Sequence, residues 1–72
     1  MKRVCDNVSE LYFAEVRKNP KLSMARLCEE LDAGAGSVNR WINRKNDPQA
    51  AYIPRIAKRF NVPMERLFEG VE

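Results

Sequence analysis

Residues 23–41 read Ser-Met-Ala-Arg-Leu-Cys-Glu-Glu-Leu-Asp-Ala-Gly-Ala-Gly-Ser-Val-Asn-Arg-Trp. Met24, Leu27, Cys28 and Leu31 recur at three- and four-residue steps, the spacing of one buried helix stripe. Ser23 stands where its hydroxyl can accept an unpaired first-turn N–H. Leu22 before it and Leu27 beyond it can form a hydrophobic staple. Arg26 and Glu30 can pair one turn apart on the wet side. Asp32-Ala33-Gly34 breaks the pattern, and helical spacing resumes from Ala35 to about Arg44 with Val38, Trp41 and Ile42 inward. Ser37, Asn39, Arg40, Asn43 and Arg44 are left on the outer face or its edges. Residues 23 to about 44 thus read as two short helices joined by a tight turn, the second presented outward. An ordinary helical corner has the same pattern.

Working outward, Val8, Leu11, Tyr12 and Val16 predict a helix from about Val8 to Lys18. Asn7 with Glu10 suggests a capping box at its start, and Asn19-Pro20 ends it. Lys45-Asn46-Asp47-Pro48 reads as a polar loop. A fourth helix, roughly Ala51 to Phe60, would bury Ile53, Ile56, Ala57 and Phe60, with Pro54 tolerable in its first turn. Asn61 is suited to a left-handed C-terminal position. Val62-Pro63 opens a short fifth helix to about Phe68, with Leu67 and Phe68 expected inward. No segment alternates as a strand does. The expectation is a single all-α domain of five helices over residues 1–72. At this size only about 60% of the unfolded surface is buried on folding, so stability should be slim.

Composition narrows the chemistry. The chain has no histidine and two cysteines, Cys5 and Cys28, without Cys-x-x-Cys spacing. That removes imidazole acid–base catalysis, the His-assisted nucleophiles and the usual zinc sites. Cys28 lies in an apolar stripe and reads as a small buried hydrophobe, though a Cys5–Cys28 disulfide stays open. The inventory points to a binding protein, with no enzyme activity, cofactor, metal or small-molecule substrate expected. Mean hydropathy is −0.54, and the uncharged run between Asp32 and Arg40 is far too short for a membrane span. The basic start lacks an apolar stretch behind it, so the expected compartment is the cytosol.

The formal charge is +3, but residues 33–60 carry six basic groups against Asp47 alone, a net of +5. A basic segment of this kind suits phosphate backbones or another acidic surface, although such charges also merely solvate a helix face. Gly34 and Gly36 lack the full spacing of a phosphate loop and follow a helix rather than a strand. With Ala35 they leave a bare helix start that a partner can approach closely, where free N–H groups favour an anion. Trp41 could stack on a single-stranded base, but its spacing with Val38 favours the core.

Beyond these readings, the chain resembles the Cro/C1-type helix-turn-helix family of phage and bacterial repressors. Ser23, Leu27, Cys28, Leu31, Val38, Trp41 and Pro48 match its pattern, as does Ile56-Ala57-Lys58-Arg59-Phe60-Asn61-Val62 followed by Leu67-Phe68. The turn and third helix are particularly similar to the lambda repressor class. The resemblance implies a compact lambda repressor-like DNA-binding domain whose third helix enters the major groove of double-stranded DNA. The partner surface would comprise Ala35, Gly36, Ser37, Asn39, Arg40, Asn43, Arg44 and Lys45. Ser37, Asn39 and Arg40 would reach base edges, with Asn43, Arg44 and Lys45 on the backbone. Arginine suits guanine and asparagine suits adenine.

The departures carry weight. Asp32 stands at the family's turn glycine, Ile42 and Arg44 replace its late glutamate and glycine, and Met24 and Ala35 occupy positions often held by glutamine. Neither Met24 nor Ala35 can hydrogen-bond a base. A second reading is therefore an antirepressor that uses the same fold to cover a repressor protein's DNA-reading face. Any homodimer would have to pair through this domain's own surface, around the fifth helix and Val71.

Overall fold

The computed structural model describes residues Met1–Glu72. The first helix, α1, runs Val4–Lys18 and starts earlier than the Asn7 cap expected from sequence. Val4, Cys5 and Val8 are all buried, so tertiary packing draws the first turn into the helix. The box that closes this end is made one turn upstream, where the Asp6 carboxylate accepts the Arg3 N–H at 2.7 Å. Asn7 is fully buried instead, its amide donating to the carbonyls of Leu67 (2.7 Å) and Glu69 (3.0 Å). It ties the end of the chain to α1. Leu11, Tyr12 and Val16 continue the stripe half-buried, and Asn19 caps the helix by donating to the Glu15 carbonyl.

The decisive pair follows the sequence closely. α2 spans Met24–Leu31, with Ser23 Oγ accepting the Arg26 N–H at 3.1 Å and Arg26 paired to Glu30 at 3.1 Å. α3 spans Ala35–Ile42, ending short of Arg44. After a 3₁₀ turn over Ala50–Tyr52, α4 runs Ile53–Arg59 with Pro54 in its first turn, where no N–H is required.

Three helices stop in the same way. Asp32, Arg44 and Asn61 all take left-handed dihedrals, with φ of 52°, 61° and 56°. At each, the next residue donates back over the turn: Ala33 to Cys28, Lys45 to Arg40 and Val62 to Ala57, at 2.9 to 3.0 Å. These are Schellman ends, usually built on glycine. Aspartate and asparagine accept that geometry readily; Arg44 has no such excuse.

The expected fifth helix is a 3₁₀ segment, Met64–Phe68, so the architecture is four α-helices and two short 3₁₀ turns. Its tighter winding buries Leu67 completely but leaves Phe68 half exposed, against the expectation that both face inward. Gly70 (φ 74°) then turns the chain so that Val71 bridges Lys2 in parallel. The core gathers Val8, Leu27, Leu31, Val38, Trp41, Ile56 and Leu67, with Trp41 seated against the Tyr52 ring, centroids 5.1 Å apart. Beneath it the Arg59 guanidinium takes both Glu15 oxygens (3.0 and 3.2 Å) and also meets Glu30, joining α4 to α1 and α2. Burial opposes its charge, but the two carboxylates prevail and raise its pKa.

Cys5 and Cys28 are buried free thiols. Burial, reinforced by the Asp47 carboxylate that the thiol faces, pushes the Cys5 pKa from 9.0 to about 11. Two outcomes follow from these features. Replacing Arg44 by glycine removes a left-handed side-chain penalty of about 1–2 kcal/mol, partly offset by the roughly 0.4–1 kcal/mol of unfolded-chain entropy that glycine adds and by a weak ion pair, so the melting temperature should rise slightly. Between about pH 9 and 11 the unfolded chain loses the Cys5 proton while the folded chain keeps it, so stability falls as pH rises. Melting curves of Cys5→Ala across that window should show a shallower alkaline decline than wild type; an equal decline would remove Cys5 as its source.

Candidate nucleic-acid interface

The surface of α3 divides cleanly. Val38, Trp41 and Ile42 are buried, while Ala35, Gly36, Asn39 and Arg40 are exposed and Ser37 is half-buried. Gly34 caps the helix with extended backbone and offers no side chain. A Cβ built on Gly34 or on Gly36 would meet nothing within 4 Å. Their smallness therefore serves no packing inside the chain. Met24 is half-buried at the head of α2, and Ala35 is exposed at the head of α3.

Two asparagines one turn apart order each other. The Asn43 amide donates to the Asn39 carbonyl at 2.9 Å and also to the Asn39 side-chain oxygen. Asn39 is thus held in one orientation with its own N–H₂ left to donate outward. Arg40, exposed, has no acidic partner within 4 Å, and neither has Lys45. Because α3 stops at Ile42, Arg44 and Lys45 lie beyond its outer face, in the turn that follows. Arg44 Nε is 3.7 Å from Asp6, which draws this side chain toward α1.

The basic segment is less uniform than its sum suggests. Arg59 is engaged by Glu15 and Glu30 at a half-buried junction, and Arg55 stacks on Tyr52 (5.4 Å) while lying 3.9 Å from Asp32. Arg40, Lys45 and Lys58 remain as cations with no carboxylate within 4 Å. Ser37 and Arg40 also share a notch of about 180 Å³ with Trp41, Asn46, Asp47, Gln49 and Tyr52. Asn46, Gln49 and Tyr52 were not singled out in the sequence. The only local signal was a polar loop, since the notch exists only because that loop returns beside α3.

The glycine geometry is testable without any partner. Gly36→Ala should stabilise the fold by up to about 1 kcal/mol, since it lowers the helix entropy cost and meets no neighbour. A drop in the denaturation midpoint would mean that Gly36 is required by the fold itself.

A comparison with protein families matches residues 13–67 to the family described as Helix-turn-helix, which reaches from α1 into the last 3₁₀ segment. No curated protein and no solved structure matches the chain. No helix is long and apolar enough to cross a membrane. The family match supports a DNA-binding regulator of the helix-turn-helix kind. With α2, the left-handed Asp32 turn and α3 arranged as described, the chain belongs to the Cro/C1-type helix-turn-helix family.

Proposed function

We propose that the chain is a sequence-specific regulator of transcription that lays α3 in the major groove of duplex DNA. The observation that carries this reading is the outer face of α3, where the ordered Asn39 amide and the unpaired Arg40 guanidinium stand beside a bare helix start. Asn39 and Arg40 read base edges, with Ser37 at the rim. Ala35 and Gly36 admit the sugar-phosphate backbone closely, and first-turn N–H groups meet a phosphate. Asn43, Arg44 and Lys45 contact the backbone and fix the register. A homodimer on a two-fold operator would pair through the half-exposed Met64 and Phe68 beside Val71.

One observation favours a second reading. Met24 and Ala35 give the starts of both helices an apolar character unsuited to base recognition, which fits an antirepressor that covers a repressor's DNA-reading face. Salt separates the two. Neutralising three to five phosphates gives a log–log slope of roughly −3 to −4.5 for DNA. A repressor complex built on apolar contact would respond far less.

The test is a salt-titrated binding assay on a duplex selected from a random library, alongside a pull-down of candidate repressor proteins with this chain as bait. Arg40→Ala should weaken the selected site by about 1–3 kcal/mol and relax discrimination at one base pair. Lys45→Ala should weaken all sequences alike and reduce the salt slope by about one. If Arg40→Ala changes neither DNA nor repressor binding, α3 is not the reading element.

A further inference from the structure

The loop after α3 is tied to a distant part of the chain by three contacts. Asp47 Oδ1 accepts the Cys5 N–H at 3.1 Å, across 42 residues of sequence. The Arg3 guanidinium donates to the Arg44 carbonyl, and Arg44 Nε approaches Asp6 Oδ1 at 3.7 Å. Arg44, Lys45, Asn46 and Asp47 are all exposed. Arg44 moreover holds a left-handed conformation that a side chain of its kind resists. A loop with this path and no buried side chain from Arg44 to Asp47 depends on its ties.

Asp47 is the unexpected member. It lines the notch shared by Ser37, Arg40 and Asn46, where a carboxylate would repel an approaching phosphate. Its other side explains its presence, because the Cys5 N–H is one of the first-turn donors of α1 that no helix carbonyl can satisfy. Burial works against its charge, yet the Cys5 N–H and thiol, with Arg3, hold the carboxyl below its ordinary range.

We propose that Asp47 is a positioning residue, which by capping α1 from a distance holds Arg44, Lys45 and Asn46 against the C-terminal end of α3 in the geometry that binds the partner. The inference rests on the DNA-binding reading for its partner but not for the tie itself. It makes a prediction opposite in sign to simple electrostatics. Removing a negative charge beside DNA should tighten binding whatever replaces it. If Asp47 acts by position, a replacement that cannot accept the Cys5 N–H must weaken binding despite the gain in net positive charge.

The experiment compares the 72-residue wild type with Asp47→Ala and Asp47→Asn, using a mixed-sequence 24-base-pair duplex and amide hydrogen exchange of the free protein. Asparagine keeps an acceptor for Cys5 while losing the charge; alanine loses both. The expected result is binding about tenfold weaker for Asp47→Ala, with Asp47→Asn at wild-type affinity or tighter. Exchange at Cys5 and at residues 44–46 should rise in the alanine variant and not in the asparagine variant. Equal or tighter binding by Asp47→Ala, relative to Asp47→Asn, overturns the proposal. So does unchanged exchange at residues 44–46 in Asp47→Ala. If the wild type binds no DNA, the functional reading fails, and exchange alone then decides whether Asp47 holds the loop. Should Asp47→Ala lose its cooperative melt while Asp47→Asn keeps it, the residue is a requirement of folding, and the positioning role is overturned.

Discussion

A single guanidinium joins the helices on which α3 rests. Arg59 closes α4 and reaches carboxylates on α1 and α2, so three elements that share the apolar core are also tied at one polar point. Removing Arg59 would leave the Glu15 and Glu30 carboxylates without their shared cation, a repulsion that water only partly screens because the guanidinium is half-buried. The junction acts together with the apolar core that the same helices build. With α1, α2 and α4 fixed, Val38, Trp41 and Ile42 have one place to go, and the opposite face of α3 must look outward.

The second constraint is brevity. α2, α3 and α4 have eight, eight and seven residues, so each helix must end abruptly and reverse. The chain solves this three times with one device, a left-handed residue followed by a back-donating N–H. Asp32 and Asn61 show that small polar side chains substitute for glycine there. Arg44 shows that a long one is accepted when its carbonyl is held by Arg3 and its side chain is drawn to Asp6. That strained turn also delivers the loop that flanks the candidate interface.

Much of this was legible beforehand. Ser23, the stripe from Met24 to Leu31 and the pair Arg26–Glu30 defined α2, because cap, core and surface signals all lie within a few residues of one another. The outward face of α3 was legible for the same reason, including Asn39 and Arg40. What failed depended on distant contacts. Asn7 with Glu10 imitates a capping box, while the real start of α1 uses Asp6 locally and Asp47 from far along the chain. Phe68 faces outward because its segment winds as a 3₁₀ turn, whose period differs from the α-helical one its spacing suggests. Arg59 belongs by sequence to the basic segment, yet its charge is consumed inside the fold, and no local pattern announces that. The notch beside Arg40 was invisible because it is made by the return of a loop, not by a run of residues.

The bridge between Lys2 and Val71 has a topological meaning. It brings the two ends of the described chain side by side, although they are separated by the whole fold in sequence. The domain is therefore nearly a closed ring, and a linker of a few residues would seal it. Adjacent ends of this kind permit a chain to be reopened in an exposed connection such as Asn19–Lys21 while each helix keeps its neighbours. They also mean that anything attached at either end leaves from one pole of the molecule. A second domain joined there, before or after, would start from the same point in space.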